Sequence, residues 1–207
     1  MRRRSMCVPF AVLAVAHAAA ADDSGWYVGA GVGVADTANN VQLGVPDVPI
    51  LRGQAEDNDT TWGFAAGYRF NPSLAFELGY VDLGELEADV ADATAVTDAR
   101  ASLGFSADGV TFAMIGTFPL AKWELYLKAG VFFSSPVLEY SGSVSGDDFA
   151  ARITNDSSDP LYGIGVRYAL SEHLQIHLDS TYFMEVGEPG KGQANFLNTS
   201  LGATWRF

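Results

Sequence analysis

The feature that most constrains this chain is an alternation that returns eight times. In "GWYVGAGVGVA", Trp26, Val28, Ala30, Val32 and Val34 share one side, and Tyr27, Gly29, Gly31 and Gly33 the other. The same period runs through "TWGFAAGYRF", "LAFELGY", "GVTFAMIGTFP", "WELYLKAGVFF", "LYGIGVRYAL", "LQIHLDSTYF" and the closing "LNTSLGATWRF". Successive side chains of an extended chain point to opposite faces. Period two with β-branched and aromatic enrichment therefore predicts strands. Each stretch is roughly ten residues long, the length a tilted strand needs to cross a bilayer.

The connections alternate as well. Strands two and three, four and five, and six and seven are separated only by the tight turns Asn71-Pro72-Ser73, Leu120-Ala121-Lys122 and Ser171-Glu172-His173. Long segments, Asp36–Asp59, Gly84–Asp108 and Ser134–Asp159, join the others, with a shorter link at Gly187–Asn195. Tight turns at one rim and long loops at the other predict an all-β fold, an eight-stranded antiparallel up-and-down transmembrane β-barrel. The long segments, rich in Asp, Ser, Gly, Ala and Thr, read equally as carrying strand extensions beyond the membrane or, at "ELEADVADATAV", a short helix.

The composition of the two faces decides between a membrane barrel and a soluble one. A soluble eight-stranded barrel such as a lipocalin would point its bulky apolar side chains inward. Here the bulk lies on one face, and the other is rich in glycine: Gly29, Gly31, Gly33, Gly63, Gly67, Gly79, Gly130, Gly163, Gly165 and Gly202. Glycines cannot fill an apolar core. Eight strands enclose just enough space for side chains, and glycines there leave room for long charged ones. The apolar face then meets lipid. Its aromatics fall into two belts at the membrane–water interfaces. Trp26, Tyr68, Phe70, Phe118, Trp123, Tyr168, Trp205 and Phe207 mark the tight-turn rim; Trp62, Tyr80, Phe133, Tyr162 and Tyr182 mark the other.

The first residues have a different character. Arg2, Arg3 and Arg4 precede an apolar stretch from Val8 to Ala20, and Ala19-Ala20-Ala21 is a small-residue cleavage pattern. Residues 1–21 read as a secretory signal peptide, leaving 22–207 as the barrel with long acidic extracellular loops. Losing three arginines takes the net charge from -13 to -16, and the only cysteine, Cys7, leaves too. No disulfide or thiol chemistry is then expected. Phosphate would be repelled, so nucleic acid is excluded as a partner.

The ordered set "GWYVGAGVGVA", "GYRFNPSLAFELGYVDLG", "GTFPLAKWELYLKAGVFF", "YGIGVRYALSEHLQIHLDSTYF" and "LGATWRF" resembles the small outer-membrane barrels of the OmpA transmembrane-domain type. The resemblance covers most of the mature chain apart from its loops. It implies an eight-stranded barrel in the outer membrane of a Gram-negative bacterium, with periplasmic termini and surface-exposed loops. It also implies that the terminal aromatics Trp205 and Phe207 are a signal read by the outer-membrane assembly machinery. Larger members of the family continue into a peptidoglycan-binding domain. This chain stops at the barrel, so a cell-wall tether is not expected of it.

Alternation places Arg69, Glu77, Glu124, Lys128, Arg167, His177, Asp179 and Arg206 in the lumen. Charges of both signs in a narrow interior should pair, because an unpaired buried charge costs several kcal/mol. The expected role is a network that fills the lumen, with partner switching that opens a narrow ion path as the alternative. Removing Arg69 or Arg167 is then expected to destabilise the barrel or raise its conductance. A lipid-modifying barrel enzyme is a third reading. His177, Asp179 and Ser180 lie close in sequence as nucleophile–base candidates, but they do not converge, because Ser180 points outward. "GAGVGV" lacks the helix a dinucleotide loop requires. No catalytic residue, metal or cofactor is expected. The loop acids, among them Asp47, Glu56, Asp57, Asp59, Glu85, Asp92, Asp98, Asp147, Asp156 and Asp159, form a solvated rim. That rim is also where cation-bridged lipopolysaccharide or an extracellular ligand would be met. The function expected is a structural or surface-interaction role. A low-conductance channel for small solutes is the rival.

Overall fold

The structure, a computed structural model, describes residues 24–37, 59–91, 99–144, 147–154, 156–188 and 192–207. The signal segment, the loop acids Asp47, Glu56, Asp57, Asp92 and Asp98, and the second half of "ELEADVADATAV" lie outside the described residues.

Ten strands are present: β1 (Gly25–Thr37), β2 (Asp59–Asn71), β3 (Leu74–Ala91), β4 (Ala99–Leu120), β5 (Trp123–Ser134), β6 (Val137–Val144), β7 (Asp147–Thr154), β8 (Ser157–Ala169), β9 (Leu174–Glu188) and β10 (Gly192–Arg206). Eight of them close a ring in the order β1-β2-β3-β4-β5-β8-β9-β10, every pair antiparallel, with β10 returning to β1. Closure leaves no strand edge within the ring. In hydrocarbon each open backbone group would cost several kcal/mol.

The strands are longer than the ten residues expected; β3 has 18 and β4 has 22. Beyond the lipid-facing band a strand needs no apolar alternation, only a neighbour for its backbone ladder. Acidic and glycine-rich stretches therefore pair where their side-chain pattern is silent. Glu85–Ala91 is strand, which settles that part of "ELEADVADATAV" against a helix. The third long segment carries strand extensions as well. Gly109 pairs Ser134 and Ser106 pairs Val137 in unbroken step, so β6 continues β5. Ser134 pairs Ser157 and Val137 pairs Thr154 in step too, so β7 continues β8. Ser135-Pro136 interrupts the ladder, since proline has no N–H to give it. The result is a wall of β3, β4, β6 and β7 rising above one side of the ring.

The fourth link is shorter than Gly187–Asn195, because β9 runs to Glu188 and β10 begins at Gly192. Two bulges shape this end. At one, Gly84 adopts φ +80°, with its N–H donating to Asp82 Oδ1 (2.9 Å) and the Glu85 N–H donating to Asp59 Oδ2 (2.7 Å). Only glycine adopts that backbone without strain. At the other, Glu185 holds φ +52° and its N–H donates to Asn195 Oδ1 (2.8 Å). A bulge adds one residue and reverses which parity faces inward.

Trp26, Val32, Phe64, Leu78, Phe118, Trp123, Leu178 and Leu201 are exposed on the outside, an apolar surface far beyond what a water-soluble monomer shows.

A layered lumen as the candidate functional site

The lumen is built from the tight-turn end upward. The first layer joins Arg69 of β2 to Glu124 of β5 across the barrel. Arg69 Nη1 and Nη2 donate to Glu124 Oε1 (3.0 Å) and Oε2 (2.7 Å), a bidentate pair with both residues buried. Gln175 of β9 adds a longer bond to Glu124 (3.5 Å). Arg206 shares the inward face of Thr204 and stands in register with Tyr27.

The second layer centres on Lys128 of β5. Its Nζ lies 3.3 Å from Glu77 and 3.6 Å from Asp179, so one ammonium bridges carboxylates from β3 and β9. Tyr27 donates its hydroxyl to Glu77 (3.1 Å). Asp179 accepts from Ser200 (2.6 Å) and Thr181 (3.0 Å). His177 Nδ1 meets Thr204 Oγ1 at 3.2 Å. Arg167, 4% exposed, pairs with none of the described carboxylates within 4.0 Å. Its guanidinium instead stacks 4.2 Å over the Tyr126 ring, with Tyr27 5.8 Å away. A cation over an aromatic face is held by the ring quadrupole, more strongly where water is excluded.

The glycines have a sharper use than making room for charges. A side chain at Gly67 would collide with the Tyr27 ring, one at Gly165 with Tyr126, and one at Gly202 with His177. Each bulky inward ring occupies the space beside a glycine on the neighbouring strand. Gly165→Leu is expected to displace Tyr126 from Arg167 and to cost roughly 1–3 kcal/mol through overpacking. The check is urea unfolding of the refolded barrel; a variant as stable as the parent would show that the ring is not seated there.

A cavity of about 110 Å³ runs from the charges Glu77, Lys128, Arg167 and Asp179 up to Leu161 and Phe183. Thr61 donates to Asn198 across it (2.8 Å). The next layer is apolar. Phe105 stacks on Phe196 (5.7 Å between centroids), Phe132 meets Phe183 edge-on (4.9 Å), and Leu83, Leu161 and Val186 are fully buried beside them. The alternation did not assign these apolar residues as a group. Leu83, Phe183, Val186 and Phe196 sit beside bulges or in the links, where the pattern of period two breaks.

The belt residues lie outside the lumen. Trp26 packs on Tyr68, Tyr68 on Phe70 and Trp123 on Tyr168 near the tight turns, and His173 stacks on Trp205. At the other rim, Trp62 and Tyr80 donate to Asp82 (3.1 Å) and Asp108 (2.7 Å). Phe70 and Tyr162 are exposed, and Tyr182 and Phe207 are partly so. Ser180 bonds Thr199 on the outer surface (3.3 Å), on the opposite face from His177 and Asp179.

Comparison with known proteins agrees with this architecture. The family model for the OmpA-like transmembrane domain matches residues 20–207. Outer membrane protein A of Serratia marcescens is 29% identical over 212 residues, covering 98% of this chain and 55% of its own length. Outer membrane protein A of Shigella flexneri is 24% identical, covering 98% of this chain and 54% of its own. The chain spans about half the length of the curated relatives it matches. Among solved structures, the outer membrane protein OprG of Pseudomonas aeruginosa superposes with a TM-score of 0.57 at 15% identity, over 90% of this chain and 97% of that one. Neisserial surface protein A gives 0.51 at 18% identity, over 89% and 99%. With a family match across nearly the whole barrel and the closed eight-stranded ring itself, the chain belongs to the OmpA-like transmembrane domain family of outer-membrane β-barrels.

Proposed function

We propose that this barrel has a structural or surface-interaction role, with a lumen kept shut by its own side chains. The observation that carries the reading is the filled interior: a bidentate Arg69–Glu124 pair, the Glu77–Lys128–Asp179 bridge and a buried phenylalanine layer occupy successive levels. Residues 1–21 serve as the signal peptide. The tight turns and both termini face the periplasm, and the wall of β3, β4, β6 and β7 stands outside the cell. Lipid and lipopolysaccharide cover the aromatic and aliphatic outer face, and an extracellular ligand would be met at the wall. The closing strand β10, with Trp205 and Phe207, is the segment we assign to recognition by the assembly machinery. The protein is not an enzyme on this reading, since Ser180 and the lumen pair His177 and Asp179 face opposite sides of the strand.

The test is electrical. Refolded protein in a planar bilayer should give no steady current. A steady small conductance would overturn the reading in favour of the narrow channel, and hydrolysis or acyl transfer on lipid A would revive the enzyme.

A further inference from the structure

We propose that the apolar layer, and not the charged network beneath it, is the septum that seals the lumen against ions. This rests on the filled-lumen reading above and names the level at which the barrier sits. Ala35 of β1, Leu83 of β3, Phe105 of β4, Phe132 of β5, Leu161 of β8, Phe183 of β9 and Phe196 of β10 form one cluster, each 3% exposed or less. Seven of the eight ring strands therefore contribute an apolar side chain to one packed cluster. The eighth, β2, adds no residue to the cluster; its buried Thr61 lines the cavity and donates to Asn198. Ile153 of β7 packs against the cluster from the wall.

The two levels oppose an ion differently. In the network an entering ion meets carboxylates, an ammonium and hydroxyls that substitute for its water. Lys128 already lies between two carboxylates at similar distances (3.3 and 3.6 Å), so rearrangement there exchanges one ion contact for another. The cavity that the network itself lines, about 110 Å³, is large enough for water. At the phenylalanine layer nothing replaces the hydration shell. An apolar constriction dries, and a dry constriction blocks ions without any charge. The network orders the barrel, while the septum closes it.

The experiment compares four refolded proteins in planar bilayers: the wild type, Phe183→Thr/Phe196→Thr, Val186→Thr, and the network variant Glu77→Gln/Arg69→Met/Glu124→Leu, which leaves no stranded charge at the Arg69 pair. Folding is checked by mobility on unheated gels. Threonine keeps strand propensity, and Val186→Thr places a hydroxyl in the septum at unchanged volume, so one septum variant remains if loss of two rings unfolds the barrel. The septum variants are expected to gain a steady ion current while the wild type and the network variant stay silent. Silent, folded septum variants would overturn the proposal, as would a network variant that conducts while the septum variants do not. A wild type that conducts steadily would instead overturn the filled-lumen reading itself.

Discussion

Arg69→Ala is expected to destabilise the barrel by about 3–5 kcal/mol, because it strands a buried carboxylate. Arg69 supplies both short bonds to Glu124, and the remaining partner, Gln175, sits at 3.5 Å. A closed lumen gives the orphaned charge little water in compensation. Removing both charges together should cost much less: Arg69→Met/Glu124→Leu keeps the volume, leaves no charge unpaired and gives up only the long Gln175 bond. Urea unfolding of refolded protein in vesicles, run on the single and double variants, measures the difference as a coupling energy. Equal stability of Arg69→Ala and the wild type would mean that this pair carries no weight. With the septum intact, Arg69→Ala should not conduct.

Leu178→Arg is the second large effect, and it tests the outer face. Leu178 is the central outward residue of β9, with Ile176 below and Ser180 above, and it is 50% exposed. In a bilayer, an arginine at the midplane of a barrel costs roughly 2–4 kcal/mol, falling to about 0–1 near the interface. Leu120→Arg, at the tight-turn rim, should therefore cost far less, although Leu120 is more exposed at 63%. On a water-soluble barrel both changes would be surface substitutions within about 0.5 kcal/mol. The depth dependence, measured by unfolding in vesicles, separates the two; equal small costs at both positions would contradict a lipid-facing band.

The lumen was legible where the alternation was clean. Arg69, Glu77, Glu124, Lys128, Arg167, His177 and Asp179 could be placed on the inward face because strand geometry leaves a side chain only two directions. Their partners could not be read, since pairing across the ring depends on stagger: Arg69 on β2 reaches Glu124 on β5, and Arg167 meets two tyrosines instead of an acid. The use of the glycines was only half visible. Their inward parity was plain, but that Gly67 and Gly165 each seat a particular tyrosine follows from inter-strand register.

The third long segment marks the same boundary. Nothing in its composition separates a solvated loop from a strand, and the β6–β7 hairpin exists because β4 offers it an open ladder in step with β5. The phenylalanine septum is a further case. Phe183 continues the inward parity of Thr181, whereas Val186, past the bulge at Glu185, faces inward on the opposite parity. By itself, then, the sequence determined a closed eight-stranded barrel with an apolar outside and a charged, glycine-lined inside, since period two and the absence of water around lipid-facing backbone leave no other arrangement. Only the tertiary structure decided which charges meet, where the strands end and which layer is dry, because ring stagger and bulges bring together residues far apart in the chain.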